Sequence, residues 1–249
     1  MLVLATYDQV SAALADRDLI VPPTPAATTG VGWLRSAVPR FSSGATHARR
    51  RGLVEAPLRA LVPDTLRRRA RALADRPDTA AVEVLAEALG VAVDPAVVVA
   101  AARAYLPPVE PTPADDAAVA SLVAALGGTW DEATAARACL LVQACASTAG
   151  LIRNALPYKD SGVPEAVLAE TLRHSPPVRV LRRQAPDGTL TELDLAAANR
   201  DPAVFPDPDT FDVHRVGNHR HLSFGVGLRP CPGDNHALAI AAGVLEGSS

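Results

Sequence analysis

Cysteine is scarce in this 249-residue chain: there are three, Cys139, Cys145 and Cys231. No C-x-x-C pair and no histidine pair at zinc spacing accompanies them. Cys139 and Cys145 fall on different faces of an expected helix, too far apart to bridge. The reading therefore excludes a disulfide framework and a structural zinc site, and the odd count fits a reducing compartment. Aromatics are also few, at 4%. Charge of one sign is not in excess: 24 Lys and Arg stand against 27 Asp and Glu, which speaks against nucleic acid as the main partner. No secretory pattern opens the chain, because Asp8 interrupts the apolar start. The longest weakly polar run, Ala138 to Ile152, is too short to span a bilayer and contains Gln143 and Ser147. These absences predict a cytoplasmic protein with no membrane and no nucleic-acid partner.

What is present reads as helix. Hydrophobic residues make up 49%, with Ala doing much of the apolar work, and 22 prolines punctuate the chain. Helical segments are expected at Tyr7 to Ala15, Thr46 to Leu61 (with a bend at Pro57), Asp64 to Ala74, Ala80 to Leu89, Pro95 to Tyr105 and Ala117 to Leu126. The longest runs from Asp131 to Leu156, is apolar on nearly all sides and belongs in the core. Pro164 to His174 and Asp234 to Leu245 complete the set. Ile20 to Gly32 and Leu106 to Asp116 read as a loop and a linker. Val178 to Ala185 and Thr189 to Leu195 read as strands around an Asp187-Gly188 turn. The predicted class is mainly α with small β-sheet elements.

One stretch asks for chemistry: "FGVGLRPCPG", Phe224 to Gly233. Its glycines let the backbone bend and approach another object closely. Cys231 lies just before a helix, where free amides and the dipole favour a thiolate, and Arg229 adds positive charge. A lone anionic sulfur suits a single axial metal ligand. A cysteine simply packed in a Gly/Pro turn is the other reading that the loop allows.

Phe224, Gly227, Arg229, Cys231 and Gly233 spell F-x-x-G-x-R-x-C-x-G, which resembles the haem-binding signature of the cytochrome P-450 family, the haem-thiolate monooxygenases. Glu170 and Arg173 resemble that family's K-helix E-x-x-R. His47 and Arg51 resemble its C-helix H-x-x-x-R. "AAANRDPAVFPDPDTFDVHR" is similar to the segment leading to its haem loop, and "YDQVSAALADRDL" to its B helix. The resemblance implies a reduced P-450-like fold, one compact unit spanning residues 1–249. A haem b would lie between a long I-type helix and the cysteine loop with its L-type helix. It makes Cys231 the iron ligand and places Phe224, Gly225, Gly227, Arg229, Gly233, His47, Arg51 and Arg183 around the haem, the cations at its propionates. Taken alone, Arg183 would read as a solvated arginine at a strand end. His221 reads as a core histidine, and Glu170 with Arg173 as a structural clamp.

The sequence also departs from that family. Its I helix usually carries an acid followed by an alcohol that deliver protons; here Ala146 stands at the acid, Ser147 at the alcohol, and Thr148 follows. Ser147 and Thr148 are the catalytic candidates, and back-bonding to helix carbonyls is the competing use of their hydroxyls. Thr210 stands where the family often has arginine, with Arg215 as a candidate substitute. The usual N-terminal, lid and C-terminal elements are not expected, with little room for lid helices between Gly90 and Asp131. An open distal side would be covered by a second copy or a partner subunit. The resemblance implies oxidation of a small or carrier-bound metabolite of bacterial secondary metabolism. Electrons would come from a ferredoxin-type partner near Arg49 and Arg50, or peroxide would replace them. Non-oxygenating haem chemistry (dehydration, rearrangement or cyclisation) and a non-catalytic haem-binding scaffold are the alternatives.

Overall fold

Leucines and alanines at helical spacing, punctuated by proline at helix starts, set the architecture. The computed structural model describes residues 1–248. A short strand β1 (Leu2–Leu4) precedes α1 (Tyr7–Ala15), α2 (Gly30–Ala37), α3 (Gly44–Ala60), α4 (Pro63–Arg71), α5 (Ala80–Ala88), α6 (Pro95–Arg103), α7 (Pro113–Ala125) and α8 (Glu132–Ala155). Then follow α9 (Pro164–His174), the hairpin β2 (Val180–Gln184) and β3 (Leu190–Asp194), the single turn α10 (Leu195–Ala198) and α11 (Asp234–Gly247).

The expected helices are present, most with ends shifted by one to four residues. Pro57 lies inside α3 rather than ending it. Two expectations fail. The stretch taken as a loop to Gly32 contains the start of α2, whose second amide, on Val31, donates to the Asp116 carboxylate at 2.9 Å. The expected Pro-rich linker turns into α7 at Pro113. There the Thr112 hydroxyl accepts from the Asp115 amide and the Asp115 carboxylate accepts from the Thr112 amide, a reciprocal cap with proline at the first helical position. The interval between Gly90 and Asp131 therefore holds two helices, α6 and α7, packed on each other.

α8 is the centre. Asp131 caps it, accepting from the Thr134 amide at 2.8 Å, and α2, α3, α5, α6, α9 and α11 all pack on it. Leu141, Leu151 and Ile152 are fully buried. By length and composition the stretch Glu132–Ser161 could cross a membrane, but 61% of its most apolar part is buried inside the protein.

α11 crosses α4 at very close range. A methyl group at Gly243 would collide with the Arg67 carbonyl oxygen, and one at Gly247 with that of Arg71. The sheet has strand order β1-β3-β2, with β1 parallel and β2 antiparallel to β3. The expected turn closes the hairpin: Gly188 has φ +85°, and Asp187 accepts from the Thr189 amide at 2.9 Å. A small second core joins α1, β3 and α10 through Val10, Leu14, Leu193 and Leu195.

Candidate functional site

The cysteine loop is shaped by its own backbone. The Gly225 amide donates to the Leu222 carbonyl at 2.8 Å and the Cys231 amide to the Phe224 carbonyl at 2.7 Å, so the loop doubles back. Gly225 and Gly227 have φ of +71° and +70°, which side-chain-bearing residues adopt rarely. Gly227 also lies against α1, where a Cβ would be 2.9 Å from the Ala15 Cα. From below, Asn199 and Ser223 tie the loop to α9: the Asn199 amide and the Ser223 hydroxyl both donate to the Leu172 carbonyl.

Behind the loop stands a buried ion-pair network. Arg173 and Glu170 are fully buried and joined by two hydrogen bonds of 2.6 and 2.9 Å. The Arg173 guanidinium also donates to the Pro208 and Thr210 carbonyls at 2.8 and 3.0 Å. Arg215 reaches the same Glu170 carboxylate at 3.3 Å. The candidate substitute thus occupies the third place of the clamp, and Thr210 contributes its carbonyl rather than a side chain.

Five basic side chains converge on the other side of the loop. His47 and Arg51 come from α3, Arg229 from the loop, Arg183 from β2 and Arg40 from the turn after α2. Arg229 donates to the Pro39 and Ser42 carbonyls at 2.9 and 2.6 Å, and to His47 Nε2 at 3.3 Å, which leaves the His47 proton on Nδ1. Arg51 donates to the Pro230 carbonyl and pairs with Glu55, the one carboxylate of the group. Arg183 is buried, 7% exposed, and donates only to the Arg182 carbonyl. It is not the solvated strand-end arginine it would be on sequence alone. Burial and the neighbouring Arg183, Arg51 and Arg40 lower the Arg229 pKa to about 10. Burial, Arg229 and Arg51 lower that of His47 to about 4. Burial leads in both shifts, and the neighbouring cations add to it, with Glu55 opposing it at His47.

These groups line one cavity of about 890 Å³. Cys231, Phe224, Gly225, Arg229, Gly233, His47, Arg51 and Arg183 all line it, with Ser147 and Thr148 on α8. Gly227 does not, and its role is to seat the loop on α1. Six arginines line the cavity and no Asp or Glu does. A thiol, a cation cluster short of anions and otherwise apolar walls are the donor set a dianionic haem requires. The residues present fit that group.

Several expectations need correction. Burial, the largest cause, raises the Cys231 pKa, and Asp234 adds to it against the pull of the Gly233 amide and of Arg51 and Arg40. The helix end and Arg229 do not by themselves make a thiolate; a bound metal has to displace the proton. The Ser147 hydroxyl donates to the Gln143 carbonyl one turn earlier, at 2.7 Å, and Thr148 is buried at 4% exposure. Ala146, at the position of the expected acid, is exposed and does not line the cavity. His221 also lies off the cavity, its ring edge-on to Phe224 and its pKa lowered by burial to about 4. Arg49 and Arg50, expected to face a redox partner, share the single carboxylate of Glu132, and Arg49 remains exposed. Sequence reasoning missed Arg40 and Gln143. Arg40 donates to the Gln143 carboxamide at 3.3 Å, and that carboxamide donates to Cys139. Neither residue belongs to a periodic pattern that would have marked it.

Comparison with known proteins gives one family model, Cytochrome P450, which matches residues 163–241. "Pulcherriminic acid synthase" of Bacillus subtilis is 40% identical over 91 residues, covering 28% of this chain and 22% of that protein. "Cyclomarin C epoxidase CymV" of Salinispora arenicola is 39% identical over 85 residues, covering 30% and 21%. The matched segments thus span about a fifth of these relatives. The fold is that of the crystal structure of P450BioI in complex with hexadec-9Z-enoic acid ligated acyl carrier protein. The TM-score is 0.78 at 20% identity, over 98% of this chain and 83% of that one.

Proposed function

The chain belongs to the cytochrome P450 family, and from that premise we propose that it is a haem-thiolate oxidoreductase acting on a small or carrier-bound metabolite. Residues 1–249 form one haem-binding unit in this reading. The observation that carries it is the meeting of Cys231 with a cluster of cations in one cavity that no Asp or Glu lines. When bound, haem supplies the oxidising chemistry of a thiolate-ligated iron, in which the sulfur pushes electron density toward the metal.

The chain's own residues do the rest. Cys231 would be the residue that holds the iron, giving up its proton to do so, and the loop's closure fixes its backbone for that role. Arg183, Arg229 and Arg51, with His47 and Arg40, would hold the two haem carboxylates. Phe224, Gly225 and Gly233 line the cavity beside Cys231 and would flank the haem, and Ser147 and Thr148 of α8 would supply hydroxyls to the same cavity. For Ser147 to donate a proton into the cavity, its hydroxyl must leave the Gln143 carbonyl. Secondary metabolism is the setting we favour, by analogy with relatives named for pulcherriminic acid and cyclomarin C. The carrier-bound option follows the acyl-carrier-protein complex of the structural relative. A ferredoxin-type donor or peroxide would supply reducing equivalents or oxidant, and the cytoplasm is the expected compartment.

A second reading, haem chemistry without oxygenation, is favoured by the acid-free cavity wall. The absorption spectrum of the ferric protein, and then of the reduced carbon monoxide complex, tests the first. A red-shifted Soret band of thiolate ligation supports it. An unshifted band with intact haem moves the weight to the second. A protein that takes up no haem overturns both and leaves the scaffold role.

A further inference from the structure

The cavity has a second polar feature far along the chain from the cysteine loop. α2 is fixed at its start by Asp116 and through its middle by Trp33 and Leu34, which are buried. The next residue, Arg35, turns to the rim. Its Nε donates to the Tyr105 carbonyl at 3.1 Å, and one amino group donates to the Ala104 and Val109 carbonyls, both at 2.6 Å. These bonds hold the guanidinium still without neutralising it, since all three acceptors are uncharged. The other amino group, NH1, has no partner among the described residues. Burial lowers the Arg35 pKa, and Glu110 and Tyr105 are the titratable groups that face it. Glu110 is exposed and acts on Arg35 only through space, with no ion pair between them among the described residues.

The walls around Arg35 offer little else. Pro22, Pro23, Pro25, Pro107 and Pro111 line the cavity together with Thr24, and Pro107 lies within the segment whose carbonyls Arg35 holds. Proline has no amide hydrogen to donate. The cations able to answer haem carboxylates (Arg40, Arg51, Arg183 and Arg229) belong to the loop end, where they act on one another. Arg35 does not belong to that group, and the sixth lining arginine, Arg182, pairs with Glu192. An apolar pocket with one immobilised cation and a spare pair of N–H donors is built to orient an anion attached to an apolar body.

We propose that Arg35 recognises the carboxylate of an apolar acid, which the proline-lined rim holds by its hydrocarbon part. The proposal rests on the haem-thiolate reading for the fate of the acid, but not for its capture. Calorimetric titration of the purified protein, its haem content recorded, with 4-phenylbutyrate and with 4-phenylbutyramide tests it. In the parent protein the acid is expected to bind about tenfold or more tighter than the amide, the size of one charge-assisted contact. Arg35→Gln should reduce that ratio to under about twofold, and Arg35→Lys should keep part of it. Arg35→Gln also loosens the rim, which weakens both probes alike and leaves the ratio readable. Equal binding of both probes, no binding of either, or an undiminished ratio in Arg35→Gln overturns the proposal. A protein that discriminates the probes yet shows no thiolate Soret band would sink the oxidoreductase reading and leave the acid site standing.

Discussion

Arg215 lies 3.3 Å from the carboxylate of Glu170, forty-five residues earlier, and both side chains are almost wholly shut off from solvent. Glu170 thereby serves Arg173, Arg215 and the Asp212 amide at once. The segment that leads to the cysteine loop rests on this one carboxylate.

Removing that charge while keeping its shape should be costly. Glu170→Gln leaves the Arg173 guanidinium buried without a counter-ion, with an expected loss of about 3–5 kcal/mol. Arg215→Leu leaves the Glu170–Arg173 pair intact and should cost less, about 1–3 kcal/mol. Urea unfolding of both variants checks the order. Equal losses would mean that Arg215 is as central as Arg173.

The α4–α11 crossing gives a sharper contrast. Gly243→Ala drives a methyl group into the Arg67 carbonyl and should destabilise by about 1–3 kcal/mol. Gly52, inside α3, has open space around its missing Cβ. Gly52→Ala should therefore stabilise by about 0.5–1 kcal/mol through helix propensity alone. Thermal melts of the two variants should move in opposite directions.

Stability should fall in mild acid. His47 and His221 both have folded pKa values of about 4, below the ordinary value of 6.5. Between these values the unfolded chain binds protons that the folded chain refuses, so stability rises with pH across that window. Their contribution is full above about pH 6.5 and is lost as the pH drops toward 4. Urea midpoints at pH 4.5, 5.5 and 7 should show this slope in haem-free protein, and His47→Asn should flatten it. Carboxylates placed beside His47 by haem would raise its pKa and flatten the slope as well.

How much of this was legible differs from element to element. α1 and α9 match their expected limits because each has a clear start, Thr6 as a cap or Pro164 at the first turn, and a strong apolar stripe. α2 was not legible, because its sequence is Gly-rich and its start is fixed by Asp116, a residue far away in the chain. α7 hid behind prolines that read as a linker, although Pro113 occupies the one helical position that favours it. β1 was missed because three residues carry no period, and only pairing with β3 makes them a strand. At the site, the spacing of Phe224 to Gly233 carried the loop, and H-x-x-x-R carried His47 and Arg51. Arg40 and Arg35 are isolated arginines whose importance comes from what the fold brings to them. The state of Cys231 was misjudged because burial, which outweighs the helix end, cannot be seen in a motif.

The ligand assignments separate cleanly. Cys231→Ala should abolish any thiolate signature in the visible spectrum. Arg51→Ala and Arg183→Ala should retain the signature but release haem more readily, read by transfer to an apo-globin acceptor. An unchanged spectrum in Cys231→Ala removes the ligand assignment. Unaltered release in both arginine variants removes theirs. Arg183→Ala should have the larger effect of the two, because Arg51 already spends part of its charge on Glu55 whereas Arg183 faces no carboxylate.

The missing acid is best tested where the fold can use one. Ala146 is exposed and off the cavity, so Ala146→Asp puts a carboxylate into water. It should leave the fraction of electrons coupled to product unchanged. Ala144 is the nearer choice: it is buried, lines the cavity and sits one turn before Thr148. An aspartate there would share the cavity with the cations Arg40 and Arg229, and would compete with haem carboxylates for them. Ala144→Asp should therefore weaken haem retention as well as altering turnover. If Ala146→Asp alone improves coupling, a covering partner must bring that surface into the site, and the distal wall is completed by a second chain.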